Sequence, residues 1–195
     1  MLAAIPFDLG VYLNKTFPSL SLDGGLLYRW PLSVRFRLGL NSFRERAHKL
    51  YESIFPTDDT CVVISQEWPE KETAATRYYP VFSLPGAFEP PQIGVRQLME
   101  QTGAETGDSV LQWVQLPARA FSYQAIFEGI ANADHARTPS VSSRVYFLNP
   151  GSDVLLHMYD DRGLDIIAVT KEPLIRISRQ FPDWILDETG QQRRL

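Results

Sequence analysis

Residues 144–186 read RVYFLNPGSDVLLHMYDDRGLDIIAVTKEPLIRISRQFPDWIL. Within them Val154, Leu155, Leu156, Met158 and Tyr159 precede Asp160-Asp161-Arg162-Gly163, and Leu164, Ile166, Ile167, Ala168 and Val169 follow. Two apolar runs with β-branched residues around a short turn predict a largely buried hairpin, not a helix. Asp at the head of the turn and Gly at its end fit a type I turn closed by a glycine in the left-handed region. Residues 144–148 add a strand ahead of the hairpin. A last helix is predicted to begin near Pro173, a residue type accepted in a first helical turn.

Moving outward, residues 33–40 (SVRFRLGL) alternate, with Val34, Phe36, Leu38 and Leu40 on one side and Arg35 and Arg37 on the other. That is the pattern of a half-buried strand. Asn41 or Ser42 is placed to cap a helix over 43–55, where Phe43, Ala47, Leu50, Tyr51, Ile54 and Phe55 recur at helical spacing. Pro56 stops it, and residues 60–66 (TCVVISQ) read as a buried strand. Residues 5–17 form a short helix ended by Pro18, and 19–31 a loop. The proline-rich stretch 67–91 reads as loop, a strand around 79–84, and loop. A short helix over 92–102, a turn over 103–108, a strand over 109–116 and a helix over 118–133 complete the pattern. The whole predicts one α+β domain over 1–195, with a mixed or mainly antiparallel sheet, flanking helices, and a C-terminal hairpin followed by a short helix.

A chain of 195 residues, 44% hydrophobic and 22% charged, suffices for one substantial core and is short for two. The single Cys61 sits in a predicted buried strand, has no disulfide partner, and rules out a thiolate-based metal site within one chain. Residues 1–13 (MLAAIPFDLGVYL) are apolar but contain Asp8, lack a basic start and show no cleavage pattern, which makes a poor signal peptide. No run approaches the roughly eighteen apolar residues of a membrane span, so a cytoplasmic location is expected. Residues 1–50 hold seven Lys/Arg and three acids, 51–120 four and ten, and the remainder eight and ten. A moderately acidic chain without a Lys/Arg run predicts neither nucleic acid nor anionic membrane as partner. The acidic middle points to a basic protein partner, or to nothing more than a solvated surface. Oligomeric state is left open.

Asp160, Asp161 and Asp165 with His157 form the candidate catalytic set. Carboxylates and an imidazole can ligate a divalent cation or act as a general acid–base pair. On a regular hairpin these side chains alternate faces. The competing reading has Asp160 and Asp161 holding the turn, Asp165 orienting a neighbour, and Arg162 partly buried against Asp165 or Asp183. Candidate binding residues are Arg162, Trp184, Arg35, Arg37, Tyr78 and Tyr79. Trp68, Phe82 and Phe88 complete an aromatic set that serves either a partner or the core. Trp184, Ile185 and Leu186 are expected to pack on the hairpin. No metal or cofactor is assigned. Asp58-Asp59, a strand and Glu67 have the order of a metal-dependent nuclease core, yet Pro69 stands where that core needs lysine. There is no G-x-S-x-G, and Gly24-Gly25 precedes no helix with a lysine. His48 and His135 read as surface residues.

Four segments, SVRFRLG (33–39), RERAHKLYESIF (44–55), VYFLNPGSDVLLHMYDDRGLDIIAV (145–169) and FPDWIL (181–186), together resemble the bacterial family described as domain of unknown function 3885. YDDRGLDIIA and DWIL are the most specific blocks. After DWIL this chain continues Asp187-Glu188-Thr189, where the family pattern carries a further acidic and aromatic run. The resemblance implies a small bacterial cytoplasmic protein and no particular activity. With no complete catalytic constellation in the sequence, the expected function is that of a non-enzymatic protein-binding module, immunity or antitoxin-like. The alternative is a metal-dependent hydrolase using the Asp160/Asp161/Asp165 cluster.

Overall fold

The computed structural model describes residues 7–22, 26–56, 59–68, 78–88, 97–101, 109–141 and 143–186. Its helices are α1 (Leu9–Thr16), α2 (Phe43–Ile54), α3 (Tyr123–Asp134) and α4 (Lys171–Gln180). Its strands are β1 (Ser33–Arg37), β2 (Thr60–Glu67), β3 (Tyr78–Tyr79), β4 (Gln97–Gln101), β5 (Ser109–Pro117), β6 (Ser140–Val141), β7 (Arg144–Asn149), β8 (Val154–Met158), β9 (Gly163–Ala168) and β10 (Ile185–Leu186). Eight of them make one sheet in the order β10-β1-β9-β8-β7-β2-β5-β4. Every pairing within it is antiparallel, and β3 with β6 forms a separate short parallel pair. The protein is therefore α+β. Among the described residues no helix is long and apolar enough to cross a membrane.

The hairpin sits near the middle of the sheet and is covered on both sides. Phe147, Leu156 and Ile166 face the layer built by α2, α3 and α4. Tyr146, Leu148, Leu155 and Ile167 face α1 and the 26–28 turn, through Leu9, Leu13, Phe17 and Leu26. Burial of both faces is why these strands read as unbroken apolar runs instead of alternating ones. Each fully buried Leu, Ile or Phe contributes about 1.5–3 kcal/mol by leaving water. The helical layer is centred on an aromatic cluster: Tyr51 stacks on Tyr123 at 3.8 Å, and Phe147 meets Phe127 and Tyr51 edge-on at 5.4 and 5.6 Å.

Several expectations are corrected. Residues 97–101 are strand β4, paired with β5, and not part of a helix; the main-chain groups along β5 take partners there, which outweighs the helix-forming Gln, Leu, Met and Glu side chains. The remainder of that predicted helix, and the 103–108 turn, lie outside the described residues. The strand expected over 79–84 shrinks to Tyr78–Tyr79, because Pro80 leads into a tight helical turn over Val81–Ser83. The helix expected from 118 starts at Tyr123, where the Ser122 side chain accepts from the Ala125 N–H. Ser42 does occupy the cap position of α2, but its side chain makes no capping bond. β1 ends at Arg37, and Gly39 at φ +76° turns the chain so that Leu40 is exposed.

The hairpin turn departs from its predicted form as well. Gly163 does not have positive φ; a Cβ there would come within 1.8 Å of the Tyr159 hydroxyl, so a larger residue would have to push that partly exposed ring aside. Asp160 closes the turn with Oδ1, accepting from the main-chain N–H of Arg162 at 2.8 Å and of Gly163 at 3.1 Å. Arg162 folds back on the same carboxylate, donating from Nε to Oδ2 at 2.7 Å. Its side chain is 73% exposed, so the expected burial against Asp165 or Asp183 is wrong. Asp160→Ala is expected to destabilise the fold by about 2 kcal/mol, the scale of losing charge-assisted bonds to the main chain. Arg162→Lys and Arg162→Ala should melt close to the parent, since the arginine is exposed and the buried Asp160 keeps its two main-chain donors without it. Thermal melts of the three variants check the contrast, and a large loss in either Arg162 variant would overturn it.

Candidate functional site at the sheet edge

Strand register assembles the site. Arg35 lies opposite Asp165 across β1 and β9, and Asp165 opposite His157 across β9 and β8. All three project toward the α1 side of the sheet, where the 26–28 turn folds over them. Arg35 donates from Nε to Asp165 Oδ1 at 2.6 Å and from Nη2 to Oδ2 at 2.9 Å, and the Leu27 N–H donates to Oδ2 at 3.2 Å. The Asp165 carboxylate is wholly buried. Two parallel bonds fix the guanidinium in a plane that lysine has no means to reproduce. The bond to Asp165 raises the Arg35 pKa further above its already high value. The same guanidinium lies over two rings, Tyr159 at 4.9 Å and Tyr28 at 5.4 Å from their centroids. Burial pushes the Tyr159 hydroxyl up to about 12.

His157 lies deeper. It is 3% exposed, its ring packs on Tyr146 at 4.6 Å, and Nδ1 is 2.9 Å from the Val145 carbonyl. A carbonyl only accepts, so Nδ1 carries the proton. Burial lowers the pKa to about 4, against the opposing pulls of the Val145 carbonyl and Asp165. The unfolded imidazole takes up a proton near pH 6.5, which the folded one refuses until about pH 4. The stabilisation is therefore complete above pH 6.5 and is lost as pH falls through that window, by about 3 kcal/mol in all. His157→Leu should flatten this part of the stability–pH curve. Urea unfolding from about pH 7 down to about pH 5 measures it, and equal slopes in parent and variant would refute it.

The remaining candidates are dispersed. Asp160 is tied into the turn with Arg162. Asp161, also buried, is 2.6 Å from Nε2 of His135 at the end of α3. Asp160, Asp161, Asp165 and His157 thus hold four different sets of partners and do not surround one point. Among the described residues no three carboxylate, imidazole or thiol groups gather as metal ligands. His135 is therefore an anchor for Asp161. His48 is likewise engaged, with Nδ1 2.7 Å from the Tyr123 hydroxyl and Nε2 3.1 Å from Glu52. Arg37 is exposed, with its carbonyl accepting from Arg46 at 3.0 Å. Trp184 stacks on Phe181 at 4.4 Å under the Arg46 guanidinium. Trp184 and Ile185 pack on the core beside β1, so β1 separates β10 from the hairpin they were expected to cover. Phe82 is buried and Phe88 packs against the core; Trp68 lies under Arg144 at 5.0 Å. The side chains of Tyr78 and Tyr79, and residues Gly24, Gly25, Asp58 and Pro69, lie outside the described residues.

Two clefts flank the β1–β10 edge. One, of about 560 Å³, opens between Tyr28, Trp30, Arg35 and Leu186. The other, of about 610 Å³, runs along α4 over Leu32, Val34, Leu174, Ile175 and Ile185. Tyr28 is 72% exposed and Ile175 44% exposed at their rims. Sequence reasoning named Arg35 but missed Tyr28, Ile175 and the clefts. A usable signal was present: Leu174 and Ile177 make the buried stripe of α4, and Ile175 stands off it.

These features define an α+β protein whose candidate site is a pair of clefts at one edge of an antiparallel sheet, braced by a buried arginine–aspartate pair. The model of the family described as Domain of unknown function (DUF3885) matches residues 9–189, and the chain belongs to that family. Comparison with curated proteins and with solved structures found no match.

Proposed function

We propose that this chain is a non-enzymatic protein-binding module, a bacterial cytoplasmic protein of the immunity or antitoxin-like kind, and that it binds through the β1–β10 edge. The observation that carries this reading is the pair of clefts with Tyr28 and Ile175 exposed at their rims. Exposed aromatic and aliphatic side chains beside a concavity are the usual anchors of a protein interface. Arg35 supports the reading by holding β1 and the Tyr28 turn in place and thereby keeping the first cleft preformed. The basic partner expected from the acidic middle is a separate proposal. Most of the carboxylates concerned, among them Asp58, Glu70, Glu72, Glu89, Glu105 and Asp108, lie outside the described residues.

The test is affinity capture from the source cells with the full chain and with a Tyr28→Ser, Ile175→Asp double variant. Both positions are exposed, so the variant should fold. A stoichiometric partner retained by the parent and lost by the variant is the expected result. No stoichiometric partner, or equal capture by both, would sink the reading.

A further inference from the structure

The α4 cleft carries a cation at each end of a mostly apolar wall. Lys171, Ile175 and Arg179 stand at i, i+4 and i+8 on one exposed stripe of α4, and all three line the cleft. At 1.5 Å rise per residue the two cations are about 12 Å apart along the helix axis. Neither makes a salt bridge among the described residues, whereas Arg176, on another side of the helix, reaches the Ser53 carbonyl at 3.2 Å. Between the cations the lining is mostly apolar, with Leu32, Val34, Leu174 and Ile185 below, Ile175 at the rim and Ser178 beside Arg179. The cleft thus presents charge, hydrocarbon and charge in a line.

We infer that the cleft receives an amphipathic helical segment of a partner protein bearing two acidic residues seven positions apart, with apolar residues at the third and fourth positions between them. Seven residues return to nearly the same helix face and span about 10.5 Å, within reach of a flexible lysine and arginine. The apolar pair then lies over Ile175 and Val34, the mode in which a helix lays its hydrophobic face into a groove. Carboxylates at the two ends fix its register, and like charges there would exclude other helices. The inference rests on the binding-module reading and adds the chemistry of the ligand.

The probe is a labelled helical peptide of pattern Glu-x-x-Leu-Leu-x-x-Glu, titrated with the full chain by fluorescence anisotropy, beside the same peptide with both Glu replaced by Lys. The parent should bind the Glu peptide at least tenfold tighter than the Lys peptide, with affinity falling as salt rises. Lys171→Glu with Arg179→Glu should invert that preference, and Ile175→Asp should abolish binding of both peptides. Binding of the two peptides with equal affinity, no saturable binding by the parent, or an unchanged preference in the charge-reversed variant would overturn the inference. Sedimentation of the free chain adds one more outcome: self-association abolished by Ile175→Asp would make the cleft an interface between copies and would also overturn it. Should the affinity capture succeed while the peptides fail, only the ligand chemistry falls and the binding-module reading stands.

Discussion

Arg35→Leu is expected to destabilise the protein by about 3–5 kcal/mol, because it strips a buried carboxylate of its counter-ion. Asp165 is wholly buried and, among the described residues, would keep only the Leu27 N–H. The desolvation of that charge is offset in the folded protein by the two short bonds from Arg35. Removing both charges together is a different matter. Arg35→Leu with Asp165→Leu replaces the pair by apolar groups and should restore much of the loss, as buried pairs exchanged for hydrocarbon often do. Denaturant unfolding of the two single variants and the double variant closes the cycle. An Arg35→Leu protein as stable as the parent would mean that the pair contributes nothing to the sheet. A double variant less stable than the sum of the singles would overturn the account of an unpaired charge.

Phe147→Ala should be of similar size, about 3–5 kcal/mol, for an unrelated reason. Phe147 lies on β7 with no exposed surface, stacks with Phe121 at 6.3 Å, and meets Phe127 and Tyr51 edge-on. Its removal leaves a cavity bounded by rings that belong to α2, α3 and the turn before α3, and rings of three different elements do not collapse together into it. Phe147→Leu keeps most of the volume and should lose distinctly less. Chemical unfolding with an unchanged m-value checks both variants. A loss below about 1 kcal/mol for the alanine would place Phe147 outside the core that its position implies.

What was legible in the sequence follows the strength of the local pattern. The hairpin, α2 and β2 were readable because burial on both faces, or on one helical stripe, writes itself as long apolar runs or a regular period. β4 was not, because Gln97–Gln101 carries helix-forming side chains and becomes a strand only by pairing with β5. The turn at Asp160 was readable as a turn, but its use of Gly163 depends on where the Tyr159 ring sits, a relation no local pattern records. Arg162 looked like the structural arginine because it stands beside three aspartates. Arg35, in an ordinary alternating strand, is the one that is itself largely covered along with its carboxylate, since register across β1 and β9 decides the partner. The clefts were invisible for the same reason: their walls come from residues 27–35, 171–182 and 185–186.

That last separation has a consequence for biosynthesis. β7, β8 and β9 are consecutive and can pair as soon as residue 168 has left the ribosome. β1, made far earlier, has no sheet partner until β9 appears and no edge neighbour until β10 follows. Ile185, which borders both clefts, is made after every other strand of the sheet. A nascent chain therefore has neither cleft complete until β10 has been made. A chain cut short after α4 would keep the hairpin and lack the wall that Ile185 and Leu186 give the clefts.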